Sequence, residues 1–216
     1  MFTGIIEAVG DISRIQQHGN DLAITISSQS LDFSDVKLGD SIASNGVCLT
    51  VTELSQHSFT ADVSAETLAY TQFGQYQLGQ RVNLEKAMLA SSRFGGHIVS
   101  GHVDGVSKVI KIEQEGRALQ VWLSMPAAIA RYIAHKGSVT VDGISLTVNT
   151  VLADSFRLTI VPHTAAQTTV SQLKVGTKVH IEVDVIARYL ERLTDVNHPD
   201  QAQGVTKALL SKRGFL

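Results

Sequence analysis

The sequence predicts an all-β chain: two homologous domains, each a small closed barrel, followed by one helix. Three observations carry this. The chain matches itself without a gap at an offset of 97 residues, so that Gly46-Val47-Cys48-Leu49-Thr50-Val51 falls on Gly143-Ile144-Ser145-Leu146-Thr147-Val148 and Ser58-Phe59 on Ser155-Phe156. Over residues 39–85, about 14 of 47 positions are identical, well above the level that ordinary composition produces. The same offset joins Thr3-Gly4 to Ser100-Gly101 and Glu85 to Glu182. A period this long is domain-sized and exceeds a solenoid unit. The second observation is period-two alternation on both sides of Asp142-Gly143, a tight hairpin signal, with Asn45-Gly46 at the same place in the first copy. The third is a series of short strands at regular spacing with few helical signals, the pattern of barrels that leave no open edge.

Taken in order, the first copy is expected to form strands at Ile5–Ile15, Leu22–Ser27, around Asn45-Gly46, at His57–Val63 and at Arg81–Glu85. Ser64 is placed to cap one helical turn through Glu66–Tyr70. The second copy repeats this with Val103–Ile112, Leu119–Ser124, Ser138–Val148, Ser155–Val161 and Lys178–Val183. Pro126 opens a further predicted helix over Ala127–His135. In the last helix Val185, Ile186, Tyr189, Leu190 and Leu193 share one face, suited either to its own barrel or to a neighbouring chain. The expected layout is therefore 1–96, 97–186, a helix at 185–194 and a loop-like, mobile tail at 195–216, with a linker at Ser91–Gly96.

Composition bounds the function. Hydrophobic residues make up 44% and charged residues 18%, enough apolar surface for real cores. A net charge of −2 argues against a general nucleic-acid binder. One cysteine, Cys48, excludes an intrachain disulfide and a cysteine-based metal cluster. No apolar run approaches a membrane span, and the start lacks a basic, apolar leader, so a soluble cytoplasmic protein is expected.

In each repeated strand one face is apolar (Val47, Leu49, Val51; Ile144, Leu146, Val148). The other carries small polar groups: Cys48, Thr50 and Thr52, or Ser145, Thr147 and Asn149. That second face suits either plain solvation or the wall of a pocket for a flat, polar heterocycle, with Thr67 and Thr164 opposite. The copies differ where protons are handled. Ile5 becomes His102, Cys48 becomes Ser145, Asn45 becomes Asp142 and Ala87 becomes Asp184. His102 is a candidate proton carrier, since an imidazole can both give and take a proton. His97 and His102, five apart, are expected on opposite faces of a strand, which disfavours a metal pair.

Several motifs in order, Met1-Phe2-Thr3-Gly4-Ile5, Asn45-Gly46-Val47-Cys48-Leu49-Thr50-Val51, Gly95-Gly96-His97, Ser100-Gly101-His102-Val103-Asp104-Gly105 and Asp142-Gly143-Ile144-Ser145-Leu146-Thr147-Val148, resemble the riboflavin synthase family of the alpha-subunit type. The resemblance covers about residues 1–190. It implies two six-stranded Greek-key lumazine-binding barrels and a homotrimer held by the C-terminal helices. The implied activity is a transferase (EC 2.5.1.9), a cofactor-free, metal-free dismutation of 6,7-dimethyl-8-ribityllumazine to riboflavin and 5-amino-6-(ribitylamino)uracil. Lumazine synthase is a candidate associate.

The resemblance also implies site residues. In the N-barrel these are Gly4, Ile5, Ile6, Ser41, Cys48, Leu49, Thr50, Asp62, Val63, Ser64, Ala65, Glu66 and Thr67. In the C-barrel they are Gly101, His102, Val103, Lys136, Ser145, Leu146, Thr147, Val161, Pro162, His163, Thr164, Ala165 and Ala166. His102, Ser145 and Thr147 are candidates for removing a methyl proton, Cys48 or Ser41 for supplying a nucleophile, and Asp142 and Asp184 for secondary roles. A non-catalytic antenna protein of the same superfamily is the alternative, disfavoured because both Gly-x-(Cys/Ser)-Leu-Thr segments and His102 are present.

Overall fold

The computed structural model describes residues 1–194 and 211–213, so most of the predicted tail lies outside the described residues. The first barrel closes from β1 (Ala8–His18), β2 (Asp21–Ser27), β3 (Ser41–Ser44), β4 (Val47–Leu54), β5 (Ser58–Val63) and β6 (Arg81–Lys86), in the order β1-β2-β5-β4-β3-β6. The second closes from β7 (Gly105–Glu115), β8 (Ala118–Ser124), β9 (Ser138–Val141), β10 (Ile144–Val151), β11 (Ser155–Ile160) and β12 (Lys178–Val183). Each element has its partner 97 residues on. The tight β3–β4 and β9–β10 hairpins turn on Asn45-Gly46 and Asp142-Gly143, all four with positive φ, as the dipeptides predict.

Alternation decides what is buried. Val47, Leu49 and Val51 of β4 and Ile144, Leu146 and Val148 of β10 enter the two cores, while Thr50 and Thr147 are exposed. Between strands five and six of each barrel lies one short helix, α1 (Ala65–Tyr70) or α2 (Pro162–Gln167). Ser64 caps α1 by accepting from Thr67 N at 3.2 Å, as expected, whereas Pro162 starts α2 at its first turn.

Two expectations are corrected. The segment after Pro126 forms only a single 3-10 turn, Ala130–Tyr132, because Ile129 and Ile133 are pulled into the second core and the chain then turns at Lys136, whose φ is 67°. The first strand of each barrel also starts later than predicted, at Ala8 and Gly105. The residues before it, around Gly4 (φ 76°) and Gly101 (φ 82°), leave their own barrel as separate straps. α3 (Val185–Thr194) carries Ile186, Tyr189, Leu190 and Leu193 exposed on its surface.

The barrels meet about a pseudo-two-fold. Gly46 abuts Gly143 so closely that a Cβ on either would lie within 2.7–2.8 Å of the other's backbone N. Asn83 and His180, equivalent positions, bridge the junction alike. Asn83 Nδ2 donates to Asp142 O and its Oδ1 accepts from Thr169 N. His180 Nδ1 donates to Asn45 O at 2.9 Å and its Nε2 accepts from Gln72 N at 2.8 Å. This fixes a neutral imidazole, and burial lowers its pKa to about 4.

Candidate functional site

The straps cross. Phe2 and Val99 pair antiparallel through Phe2 N to Val99 O and Val99 N to Phe2 O, at 2.8 and 3.1 Å. Beyond that point each strap runs onto the other barrel. Gly4 O accepts from Ser145 N at 2.8 Å, and Gly101 O accepts from Cys48 N at 2.9 Å. Ile6 packs against the second core and Val103 against the first. The expected grouping is therefore exchanged: Gly4 lies with Ser145 and Ile6 on the second core, while Gly101, His102 and Val103 lie with Cys48; Ile5 lines a separate cavity of about 290 Å³ with Thr3, Glu85 and Lys86. Repeat arithmetic aligns the two copies but does not say which barrel a leading strap covers. Glycine is required at both crossings, since a Cβ would stand 2.6 Å from Ser145 Cβ at Gly4 and 2.6 Å from Cys48 Cβ at Gly101.

On the first barrel this builds a cavity of about 300 Å³ whose walls include Cys48, Glu66, Thr67, Tyr70, His102 and Val103. Cys48 is half-buried and His102 exposed at the mouth. The α1 turn is held by the Ser64 cap and by Ala65 N donating to Asp21 at 2.7 Å, which fixes Glu66 and Thr67 in the cavity wall; Ser64 and Ala65 themselves are exposed. Leu49 and Val63 turn their side chains into the core and offer the site only backbone. Asp62 is exposed on β5. Ser41, whose register partner is Thr50, lines a different cavity of about 200 Å³ with Asp35, Asp40 and Met88.

On the second barrel Ser145 has a partner that the sequence reading passed over. His97 Nδ1 lies 2.7 Å from Ser145 Oγ. The ring is 8% exposed, and its Nε2 is buried without a hydrogen-bond partner among the described residues. Burial holds the His97 pKa below the usual histidine range, with the Asp184 carboxylate pulling the other way. Gly96 lets the strap pass, because a Cβ there would stand 2.0 Å from Thr3 O and 3.0 Å from Ser145 Oγ. The Gly95-Gly96 pair directly ahead of His97 was the available signal.

Thr164 and Ala165 of α2 are half-buried, with Ala165 on the core. Val161, Pro162, His163 and Ala166 are exposed, as are Thr147 and Lys136, while Leu146 faces the core. Asp142 lies in the barrel junction, away from both Cys48 and Ser145, where it accepts from His180 N at 2.8 Å, and burial raises its pKa to about 7. Within the chain His102 lines the Cys48 cavity rather than lying beside Ser145. Each barrel thus receives one histidine from the 95–103 strap, His97 on the second and His102 on the first.

The lumazine binding domain family model matches the chain twice, at residues 3–87 and 100–184. The chain is 56% identical to the riboflavin synthase of Photobacterium phosphoreum and 44% identical to that of Bacillus subtilis, each comparison spanning 100% of both chains. Among solved structures it is similar to LumP complexed with 6,7-dimethyl-8-(1'-D-ribityl) lumazine, with a TM-score of 0.77 at 23% identity over 85% of this chain and 99% of the other. It is likewise similar to LumP complexed with riboflavin, with a TM-score of 0.79 at 24% identity over the same shares.

Proposed function

The chain belongs to the riboflavin synthase family, and from that membership we propose how its two sites divide the work. The reaction is a transferase step: one 6,7-dimethyl-8-ribityllumazine gives a four-carbon unit to another, forming riboflavin and 5-amino-6-(ribitylamino)uracil. The observation that carries the division is the contact between His97 Nδ1 and Ser145 Oγ at 2.7 Å, on the barrel opposite to the one that holds Cys48. A methyl on the electron-poor ring is acidic. With its pKa lowered, His97 is neutral near pH 7, and with Nε2 buried it takes that methyl proton by way of the Ser145 hydroxyl, which donates to Nδ1. The electron pair left behind spreads into the heterocycle, and Asp184 steadies the imidazolium that forms. On the other barrel Cys48 and His102 receive the second lumazine, one supplying a nucleophilic thiol and the other a proton carrier at the mouth. Holding two like molecules in register then supplies much of the rate gain.

The exposed apolar face of α3 supports assembly as a homotrimer, with the N-barrel of one copy facing the C-barrel of the next. No helix among the described residues is long and apolar enough to cross a membrane, and we place the enzyme in the cytoplasm. Docking with lumazine synthase, the source of the substrate, is part of the same proposal.

The test is turnover with the lumazine alone, without added metal or cofactor. Formation of riboflavin and the uracil in equal amounts is expected. A bound fluorophore with no riboflavin formed would favour the antenna reading.

A further inference from the structure

Two buried carboxylates take no part in the chemistry above, yet each accepts three hydrogen bonds from a strap. Glu182, at the end of β12 in the second barrel, accepts at Oε1 from Ser100 N (2.7 Å) and Ser100 Oγ (2.6 Å) and at Oε2 from Gly101 N (3.0 Å). Glu85, its equivalent on β6 of the first barrel, accepts at Oε1 from Thr3 N (2.7 Å) and Thr3 Oγ1 (2.8 Å) and at Oε2 from Gly4 N (2.9 Å). The next residues of the straps are fixed from the same strands. Glu7 accepts from Lys86 N at 2.8 Å, and Asp104 accepts from Val183 N at 2.7 Å. The grip is crossed with respect to the sites: the segment that Glu182 holds delivers Gly101 O to Cys48 N, and the one that Glu85 holds delivers Gly4 O to Ser145 N.

We propose that Glu182 is the positioning residue of the Cys48 site and Glu85 that of the Ser145 site, so that each site is kept in shape by a carboxylate of the opposite barrel. This rests on reading the Cys48 and Ser145 sites as the lumazine sites, and it adds a coupling between them. Loosening one barrel's last strand opens the other barrel's site. Only a carboxylate serves, because both oxygens face donors and neither donates. An amide would aim an N–H at Ser100 or at Gly101, whichever way it turned.

Cys48 is the single cysteine of the chain and reports on one site only. Its Cβ lies where a Cβ on Gly101 would come within 2.6 Å, so the strap shields it. The experiment is the rate of iodoacetamide alkylation of Cys48 in the full chain, without substrate, for Glu182→Gln, Glu85→Gln and the milder Ser100→Ala. Glu182→Gln is expected to speed alkylation by about ten-fold, as loss of one charge-assisted hydrogen bond would, and Ser100→Ala by a smaller factor in the same direction. Glu85→Gln, an equally buried loss in the barrel that carries Cys48, is expected to leave the rate within about two-fold of the parent. Acceleration by Glu85→Gln equal to that by Glu182→Gln would reduce both to general stability and overturn the proposal. So would parent-like rates in both Glu182→Gln and Ser100→Ala. If Glu182→Gln does not fold, Ser100→Ala against Glu85→Gln decides. Alkylation needs no turnover, so its failure is separate from failure of the riboflavin assay on the parent chain.

Discussion

Gly101→Ala is expected to disable the Cys48 site while leaving both barrels folded. The new Cβ would stand 2.6 Å from Cys48 Cβ, 3.0 Å from Cys48 N and 3.0 Å from Phe2 Cε2. Two carbons settle at about 3.5–4.0 Å, so the strap must retreat by about 1 Å. The backbone adds strain, because φ at Gly101 is 82°, a left-handed value that costs a residue with a Cβ about 1–2 kcal/mol. Phe2 is fully buried and β4 is part of a closed barrel, so the movement falls on the strap and carries His102 and Val103 with it. A displacement of about 1 Å at a site that works by holding reactants in register lowers turnover by about 100-fold. The assay is riboflavin formation at limiting and saturating lumazine, with a thermal melt to confirm folding. Gly105→Ala is the control: only four residues on, its added Cβ would meet nothing within 4 Å. Turnover in Gly101→Ala within about three-fold of the control, with the melt unchanged, would refute the claim that strap placement builds the site.

Three further outcomes are expected. His97→Gln keeps the contact to Ser145 but cannot titrate. It should lower kcat by about 100-fold or more with little change in KM, while the parent's acid limb lies below the ordinary histidine value of about 6.5. Equal losses in kcat and affinity would assign His97 to binding.

At the junction, Asp142 and His180 have opposed pH dependence. Asp142, raised to about 7, gives stability that is complete below its ordinary value and lost as pH rises through 7. His180, lowered to about 4, gives stability that is complete above about 6.5 and lost as pH falls toward 4. Asp142→Asn removes the first alone, so the variant should lose about 2 kcal/mol between pH 7 and pH 5 by urea unfolding where the parent stays nearly flat. A flat profile in the variant would contradict this. Finally, Leu190→Glu on the exposed face of α3 should shift sedimentation from trimer to smaller species and reduce turnover with it. An unchanged profile would remove that face from assembly.

Much of this architecture was legible because the repeat is long and its turns are explicit. Asn45-Gly46 and Asp142-Gly143 fixed both hairpins, and strict alternation through Val47–Val51 and Ile144–Val148 told core from site. Topological facts were hidden. Nothing in Gly4 or Gly101 announces that its strap crosses to the other barrel, since both outcomes leave the same repeat. Asp142 looked like a gain of function beside Asn45, but its carboxyl serves a junction bond that Asn45 makes alike, Asn45 Oδ1 accepting from Asn83 N as Asp142 Oδ1 accepts from His180 N. His97 was discounted because it was weighed only as a metal partner of His102. Its role depends on a Ser145 that lies 48 residues away and is reached only through the glycine pair before it. Pro126 gave a true start signal, but two isoleucines sought by the core left room for one turn only.

On the proposed reading each barrel holds one copy of the same heterocycle at a site completed by the other barrel's strap. Equilibrium titration of the full chain with a non-reacting lumazine analogue tests it most directly. Two molecules bound per chain, with unequal affinities and with the Cys48 site alone weakened in Gly101→Ala, is the expected result. Saturation at one molecule per chain, or equal weakening of both sites in that variant, would contradict it.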